Sequence, residues 1–129
     1  MNIIEFSSFI LDDAPCEKAY FDSETREFRL EVDTENEQRV HLVFKRIFGI
    51  RFIPSVCYDR RSLYIGGHYV KTVVRIEPSQ WILEIHRAEA EASEPITEGL
   101  IHYVIPSDDG VWEIVAKGCA IKETSRPTS

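Results

Sequence analysis

The sequence predicts an α+β fold that is mainly antiparallel β: a curled or partly closed antiparallel sheet of about seven strands, with one amphipathic helix before a C-terminal β-hairpin. Three observations lead to this prediction. Apolar and polar residues alternate with a period of two through most of the 129 residues. One segment alone has the periodicity of a helix. No further helical segments alternate with the strands, as a parallel βαβ sheet would require.

The first predicted unit is a β-hairpin. Residues 18–21 and 26–32 form its strands, and the polar residues 22–25 form its loop. In the second strand Phe28 and Leu30 alternate with charged side chains. One face of this strand is therefore expected to be buried and the other to face water.

The middle of the chain repeats this alternation. Residues 40–45 and 48–52 are predicted strands, with Gly49 at a bulge or bend and Pro54 at the end of the second strand. Three further elements follow: a short strand at 63–65, a turn at Gly66-Gly67, and a β-branched strand at 69–76.

The period changes between Ser79 and Ala92. Apolar residues recur at i, i+4, i+7 and i+11 from Trp81, with charged residues on the opposite side, which predicts an amphipathic helix whose N-cap is Ser79 or whose first residue is Pro78. Residues 100–105 and 111–116 are then predicted to form the C-terminal hairpin. We expect Gly110 to supply the positive φ that its loop needs.

Length and composition predict a single domain over residues 1–122 and a frayed polar tail over 123–129. The N-terminus lacks the basic region of a signal peptide, and no apolar run reaches the roughly 20 residues that a membrane-spanning helix needs. The three cysteines, Cys16, Cys57 and Cys119, are odd in number and far apart, unlike a secreted disulfide framework. These features predict a protein of the reducing cytoplasm.

No motif indicates a metal, a cofactor or a reaction. The histidines do not stand at metal-ligand spacing, and no histidine lies near a cysteine in sequence to activate its thiol. His41 and His102 are expected to be core or cross-strand histidines, whereas His68, beside the glycine turn, could be presented to a ligand. We therefore predict a protein that is not an enzyme. The alternative is a small ligand-binding or enzymatic barrel-like domain with a cavity lined by aromatic residues and His102 or His68.

Charge is segregated along the chain. Residues 1–37 have a net charge of −8, residues 38–76 of +7 and residues 77–129 of −6, for a total of −7. Seven acids crowd the first hairpin and the loop after it: Asp22, Glu24, Glu27, Glu31, Asp33, Glu35 and Glu37.

Two interpretations of the acidic cluster are open. In the first, the acidic strand pairs with the basic strand at 39–45, so that the charges cancel in space. In the second, the seven acids form an electronegative surface that binds a cationic protein such as a nuclease. The basic block 38–76 leaves a further alternative, an RNA-binding sheet that uses Arg46, Arg51, Arg60 and Arg61.

Three motifs of the C-terminal third, PSQWI at 78–82, LIHYVI at 100–105 and DGVWEIVA at 109–116, resemble a pattern found in small bacterial proteins. Some similar small acidic proteins are immunity proteins of polymorphic or contact-dependent toxin systems. The resemblance implies a cytoplasmic antitoxin that binds and neutralises a cognate toxin, through contact with its nuclease-type C-terminal domain, and it implies no catalytic residues. A homodimer formed through an exposed edge strand is also open.

Overall fold

The computed structural model describes residues 2–7, 9–36, 38–65, 67–107 and 109–124. Over these residues the chain forms one open antiparallel sheet, a small second hairpin and one α-helix. The predicted fold class is thereby confirmed.

The bounds of the elements in this part of the chain are as follows: β1 Asn2–Glu5, β2 Leu11–Asp22, β3 Glu27–Thr34, β4 Arg39–Pro54, β5 Tyr64–Ile65, β6 His68–Tyr69, β7 Val74–Glu77, α1 Gln80–Glu91, β8 Ile101–Pro106 and β9 Gly110–Thr124. Two short 3₁₀ helices, Ser55–Cys57 and Arg60–Leu63, connect β4 to β5. The main sheet has the strand order β1-β7-β8-β9-β4-β3-β2, so β1 and β2 form its edges.

The larger core lies on the apolar face of the long strands. The alternation predicted for β3 is confirmed, because Phe28 and Leu30 are buried while the charged residues between them are not fully covered. The side chains of Leu42, Phe44 and Tyr103 pack in the same cluster. Burial of such aliphatic and aromatic side chains contributes about 1.5–3 kcal/mol each, and it is the main source of stability for this half of the sheet.

Two strands, β4 and β9, extend through both halves of the sheet and pair along their whole length. Their register shifts between Ile47 and Gly49, which confirms the bulge predicted at Gly49. A Cβ atom at position 49 would overlap the indole ring of Trp81, so glycine lets α1 lie close to β4.

A second, smaller core lies where the segment 55–70 covers strands β7, β8 and β9. Leu63 and Val70 of that segment pack with Ile76, Val104 and Val111 of the sheet. Helix α1 follows β7 and is capped as predicted, because the Ser79 Oγ accepts a hydrogen bond from the Ile82 N–H. A seam is left between the segment 55–70 and the start of α1.

The structure differs from the predicted elements at several places. Strand β1 was not predicted, and the strand predicted over 69–76 is divided into β6 and β7. Strand β9 extends to Thr124, so residues 123 and 124 of the predicted tail belong to the sheet, whereas 125–129 lie outside the described residues. Gly110 does not adopt the positive φ that we expected. Glycine is required there because a Cβ would overlap the ring of Phe52 and lie 2.7 Å from the carbonyl oxygen of Ile53.

Candidate functional site

The acids of strand β3 face the bases of strand β4. In the antiparallel register Glu31 lies opposite His41 and Asp33 opposite Arg39, with side-chain distances of 3.5 Å and 3.1 Å. The Glu27 carboxylate lies 3.7 Å from the Lys45 ammonium group. The first of the two open interpretations therefore describes Glu27 and Asp33, whose charges are balanced across the sheet by Lys45 and Arg39, while Glu31 has a histidine as its partner.

Three of the other predicted partner-binding acids, Asp22, Glu24 and Glu35, lie before and after β3. The Asp22 Oδ1 accepts hydrogen bonds from the backbone N–H groups of Glu24 and Thr25, so it stabilises the hairpin loop. Glu24 and Glu35 are exposed. Glu37 lies outside the described residues.

The bases of the block 38–76 are largely paired with acids. The described ion pairs include the following five of them: Arg39, Lys45, Arg51, Arg61 and Arg75. Of the four arginines proposed for RNA, Arg51 is bound to a buried carboxylate and Arg61 to Asp59. Two of the four arginines are thus each paired with a carboxylate, which reduces their attraction for phosphates.

A second acidic region lies on α1 and the loop after it, and the surroundings of its carboxylates differ from those on strand β3. Residues 80–98 contain five acids and one base. Among the described residues no cation lies at ion-pair distance from the four carboxylates of Glu84, Glu91, Glu94 and Glu98. We name these four acids, together with the exposed Leu83 and Ile96, the acidic helix surface.

The loop of this surface is attached to the helix. The Glu89 carboxylate accepts hydrogen bonds from the backbone N–H and the hydroxyl of Thr97, and these bonds lower the pKa of Glu89. The His86 Nε2 lies 2.9 Å from the Thr97 carbonyl oxygen. A depression of about 570 Å³ beside the loop is lined by Phe48 and Ile96, and also by Glu94, Glu98 and Lys117.

A buried polar network lies under the N-terminus of α1. The His102 Nε2 is 2.6 Å from the Glu113 Oε1, and the His102 Nδ1 is 2.7 Å from the Ser79 Oγ. The Arg51 Nε and Nη2 donate to the two oxygens of Glu113 over 3.3 Å and 3.2 Å. The guanidinium carbon of Arg51 lies 4.4 Å from the ring centre of Trp81. The arginine is thus held on its edge by a carboxylate and on its face by an aromatic ring.

The ionisation of Glu113 and the donor in its bond to His102 follow from the hydrogen-bonding capacity of each group. The side chain of Glu113 is 5% exposed, and burial by itself would raise its pKa, but the hydrogen bonds from His102 and Arg51 outweigh burial and lower the pKa. An ionised carboxylate only accepts, so the His102 Nε2 bears a hydrogen and donates it. The His102 Nδ1 shares the second hydrogen bond of the ring with the Ser79 Oγ.

A cavity of about 290 Å³ opens above this network, in the seam between the segment 55–70 and α1. Its polar lining includes Arg51, His102 and Glu113, and also Tyr58 and Ser62 of the segment 55–70. The remaining lining residues are Ile3, Asp59, Ile76, Gln80 and Trp81. We call this space the seam cavity.

Ser79, His102 and Glu113 are the residue types of a hydrolase triad, but their arrangement is structural. Ser79 is 5% exposed and does not line the seam cavity. Its oxygen already accepts the Ile82 N–H as a helix cap. A substrate carbonyl in the cavity would therefore not reach this hydroxyl, which is the contact that nucleophilic catalysis requires.

The other candidates from the sequence have simpler surroundings. His68 lies exposed on β6 of the small hairpin, and His41 faces Glu31 across the sheet. Burial raises the pKa of the Cys119 thiol to about 12, which keeps it protonated and unreactive. In the part of the chain that the structure describes, no three His, Cys, Asp or Glu residues form a group that could hold a metal ion. No described helix is both long enough and apolar enough to cross a membrane.

The sequence offered Ser79 as one of two possible helix starts and His102 as a core or cross-strand histidine, but it did not assemble the network. Its four members come from β4, the start of α1, β8 and β9, so no local spacing connects them. One signal was present. Glu113 stands between Val111 and Val115 on one strand face, and a lone carboxylate on an apolar face needs a buried partner.

Comparison of the chain with protein-family models, with curated protein sequences and with solved structures finds no match in any of the three.

Proposed function

We propose that this protein is an immunity-type binding protein that neutralises a basic toxin domain, such as a nuclease, by covering it with the acidic helix surface. One observation supports this proposal above the others. Glu27 and Asp33 of strand β3 each form an ion pair with a cation of β4, whereas among the described residues no cation lies at ion-pair distance from Glu84, Glu91, Glu94 and Glu98. Unbalanced surface charge attracts an oppositely charged protein and orients it during encounter.

The surroundings of the acidic helix surface also suit a protein partner. Leu83 and Ile96 are exposed beside the carboxylates, and the depression beside the loop has the apolar wall Phe48. Protein interfaces typically combine a few apolar anchors with a charged or polar rim. The hydrogen bonds of Glu89 and His86 to Thr97 hold the loop in place, which reduces the ordering cost of binding.

The test is a binding measurement between this protein and the C-terminal domain of a toxin encoded beside its gene. We expect a one-to-one complex at about 0.15 M salt, where charges are screened over about 8 Å. The triple variant Glu84→Gln, Glu91→Gln, Glu94→Gln should lower the association rate constant by about tenfold or more. The matched variant Glu27→Gln, Glu31→Gln should change it little. Absence of a complex with the wild-type protein would refute the proposal, and a larger effect of the strand variant would place the interface on β3.

A second candidate function, binding of a small carboxylate, rests on the seam cavity. Arg51 is immobilised by Glu113 and Trp81, and its remaining N–H groups are available at the cavity. A guanidinium fixed in this way is suited to a second oxyanion, while Ile3 and Ile76 provide an apolar wall for the body of the ligand.

Trp81 provides the readout for this second function, because its indole lines the cavity. In a Trp112→Phe variant, which retains Trp81 as its single tryptophan, benzoate should change the fluorescence in a saturable way. The further change Arg51→Ala should abolish saturation, while Lys117→Ala should preserve it. A response that is linear in benzoate, or unchanged by Arg51→Ala, would exclude this function.

A further inference from the structure

The free edge of strand β2 has an unusual composition between Lys18 and Asp22. Strand β2 ends the sheet, and in the described part of the chain no strand pairs with its outer side. All five residues of this stretch are exposed, including Tyr20 at 48% and Phe21 at 54%. Natural edge strands are usually short, charged or covered, because an open row of backbone groups pairs readily with another strand. Two exposed aromatic side chains on such an edge indicate that something covers it.

Two cavities lie against the same stretch. One, of about 310 Å³, is lined by Tyr20 and Phe21 and by acids and an arginine of β2 and β3. The other, of about 180 Å³, is lined by Lys18, Ala19, Phe52 and Trp112 among other residues. An added strand directs alternate side chains to opposite faces of the sheet, and cavities beside an edge strand accommodate such side chains.

We propose that a second copy of this chain covers this edge, through antiparallel pairing of the two β2 strands about Tyr20. The sequence of the stretch is self-complementary in this register. Each Lys18 lies opposite the Asp22 of the second copy, and the two Tyr20 side chains lie opposite each other. A twofold axis requires such a pattern, because every contact occurs twice with the roles exchanged.

The charge pattern distinguishes this register from its neighbours. A lysine on an edge strand normally prevents pairing with a copy of itself. In the antiparallel register about Tyr20, each Lys18 instead lies opposite an Asp22, which gives two opposite-charge pairs. A register shifted by two residues in either direction contains neither of these pairs. The bulge between Cys16 and Lys18 ends the regular edge, so the interface is small and the dimer is weak and concentration-dependent.

Sedimentation equilibrium from about 10 μM to about 1 mM provides the first test, since a small interface dissociates in this range. The wild-type chain should dimerise, and the amides of β2 should gain protection from hydrogen exchange as the dimer forms. A chain that remains monomeric throughout, or a dimer that leaves β2 amides unprotected, would overturn the proposal.

Charge complementation tests the register itself. Lys18→Glu and Asp22→Lys should each raise the dimer dissociation constant about tenfold or more, because each homodimer then contains two like-charge contacts. An equimolar mixture of the two variants should dimerise like the wild type, because both contacts become attractive again. Lys117→Glu, on β9, is the matched control and should leave dimerisation unchanged.

Circular dichroism of each variant checks folding, because Asp22 also stabilises its own loop. Asp22→Asn keeps a side-chain acceptor for that loop, removes the charge and should weaken the dimer to an intermediate degree. A mixture of folded variants that stays monomeric, or single variants that dimerise like the wild type, would refute the pairing of Lys18 with Asp22.

Discussion

Two sets of carboxylates lie on the same sheet and differ in what surrounds them. Glu113 is almost fully buried and is bound by His102 and Arg51, whereas Glu27 on β3 is 32% exposed and faces Lys45, which is 63% exposed. A buried charge depends on its partners because water cannot replace them. A surface pair in water contributes little. The same residue type is therefore structural at one end of the sheet and nearly neutral for stability at the other.

The largest effect on stability is expected when the buried carboxylate is removed. Glu113→Ala should lower the free energy of unfolding by about 3 kcal/mol, because His102 loses its acceptor and Arg51 its ion pair. Glu113→Gln is the conservative control and should cost less, since its amide oxygen can still accept from His102. Urea denaturation measures both values. A loss below about 1 kcal/mol for the alanine variant would show that the network is not structural.

The pH dependence sharpens the same contrast. Folding lowers the pKa of Glu113 from its usual 4.5, so its stabilising contribution is complete above that value and is lost as the pH falls through the lower folded pKa. Stability measured between neutral pH and pH values below 4.5 should therefore fall more steeply in the wild type than in Glu113→Gln. Equal slopes for the two proteins would contradict the lowered pKa.

The Trp81 indole, which lies against Arg51 of the buried network, provides a third test. Gly49→Ala should destabilise the fold by about 1–3 kcal/mol, because the new methyl group would overlap the Trp81 indole that lies against Arg51. Gly118→Ala is the matched control on the neighbouring strand, where an added Cβ meets nothing within 4 Å. Thermal melts of the two variants compare them directly. Similar melting temperatures would mean that α1 does not pack closely on β4.

The smallest effects on stability are expected for the exposed ion pair of Glu27 with Lys45. Glu27→Gln should change the free energy of unfolding by at most about 0.5 kcal/mol, because its partner Lys45 is 63% exposed and remains solvated. Denaturation at low and at high salt provides the measurement. A cost similar to that of Glu113→Ala would show that the strand ion pairs are more than surface pairs.

Local features of the fold were predictable because they depend on the backbone period. The alternation on β3, the bulge at Gly49 and the capped helix after Ser79 each arise from residues close together in the chain. Strand β1 was missed because it has only four residues, and its two apolar residues, Ile3 and Ile4, are too few to show a period. The end of β9 was missed because its pairing with β4, not its own composition, extends it to Thr124.

The site was less predictable than the fold. The sequence contains all the acids and bases, but two arrangements of them remained open until the register of β3 with β4 paired Glu27 and Asp33 with cations. The network around Glu113 joins residues as far apart as Arg51 and Glu113.

The sequence by itself therefore determined most of the strands, the start of the helix to within one residue and the segregation of charge along the chain. The tertiary structure decided which charges cancel, which carboxylate is buried and which carboxylates have no cation at ion-pair distance among the described residues. The physical reason is that the side-chain period is a local property of the backbone, whereas charge balance and burial depend on neighbours brought together across the sheet.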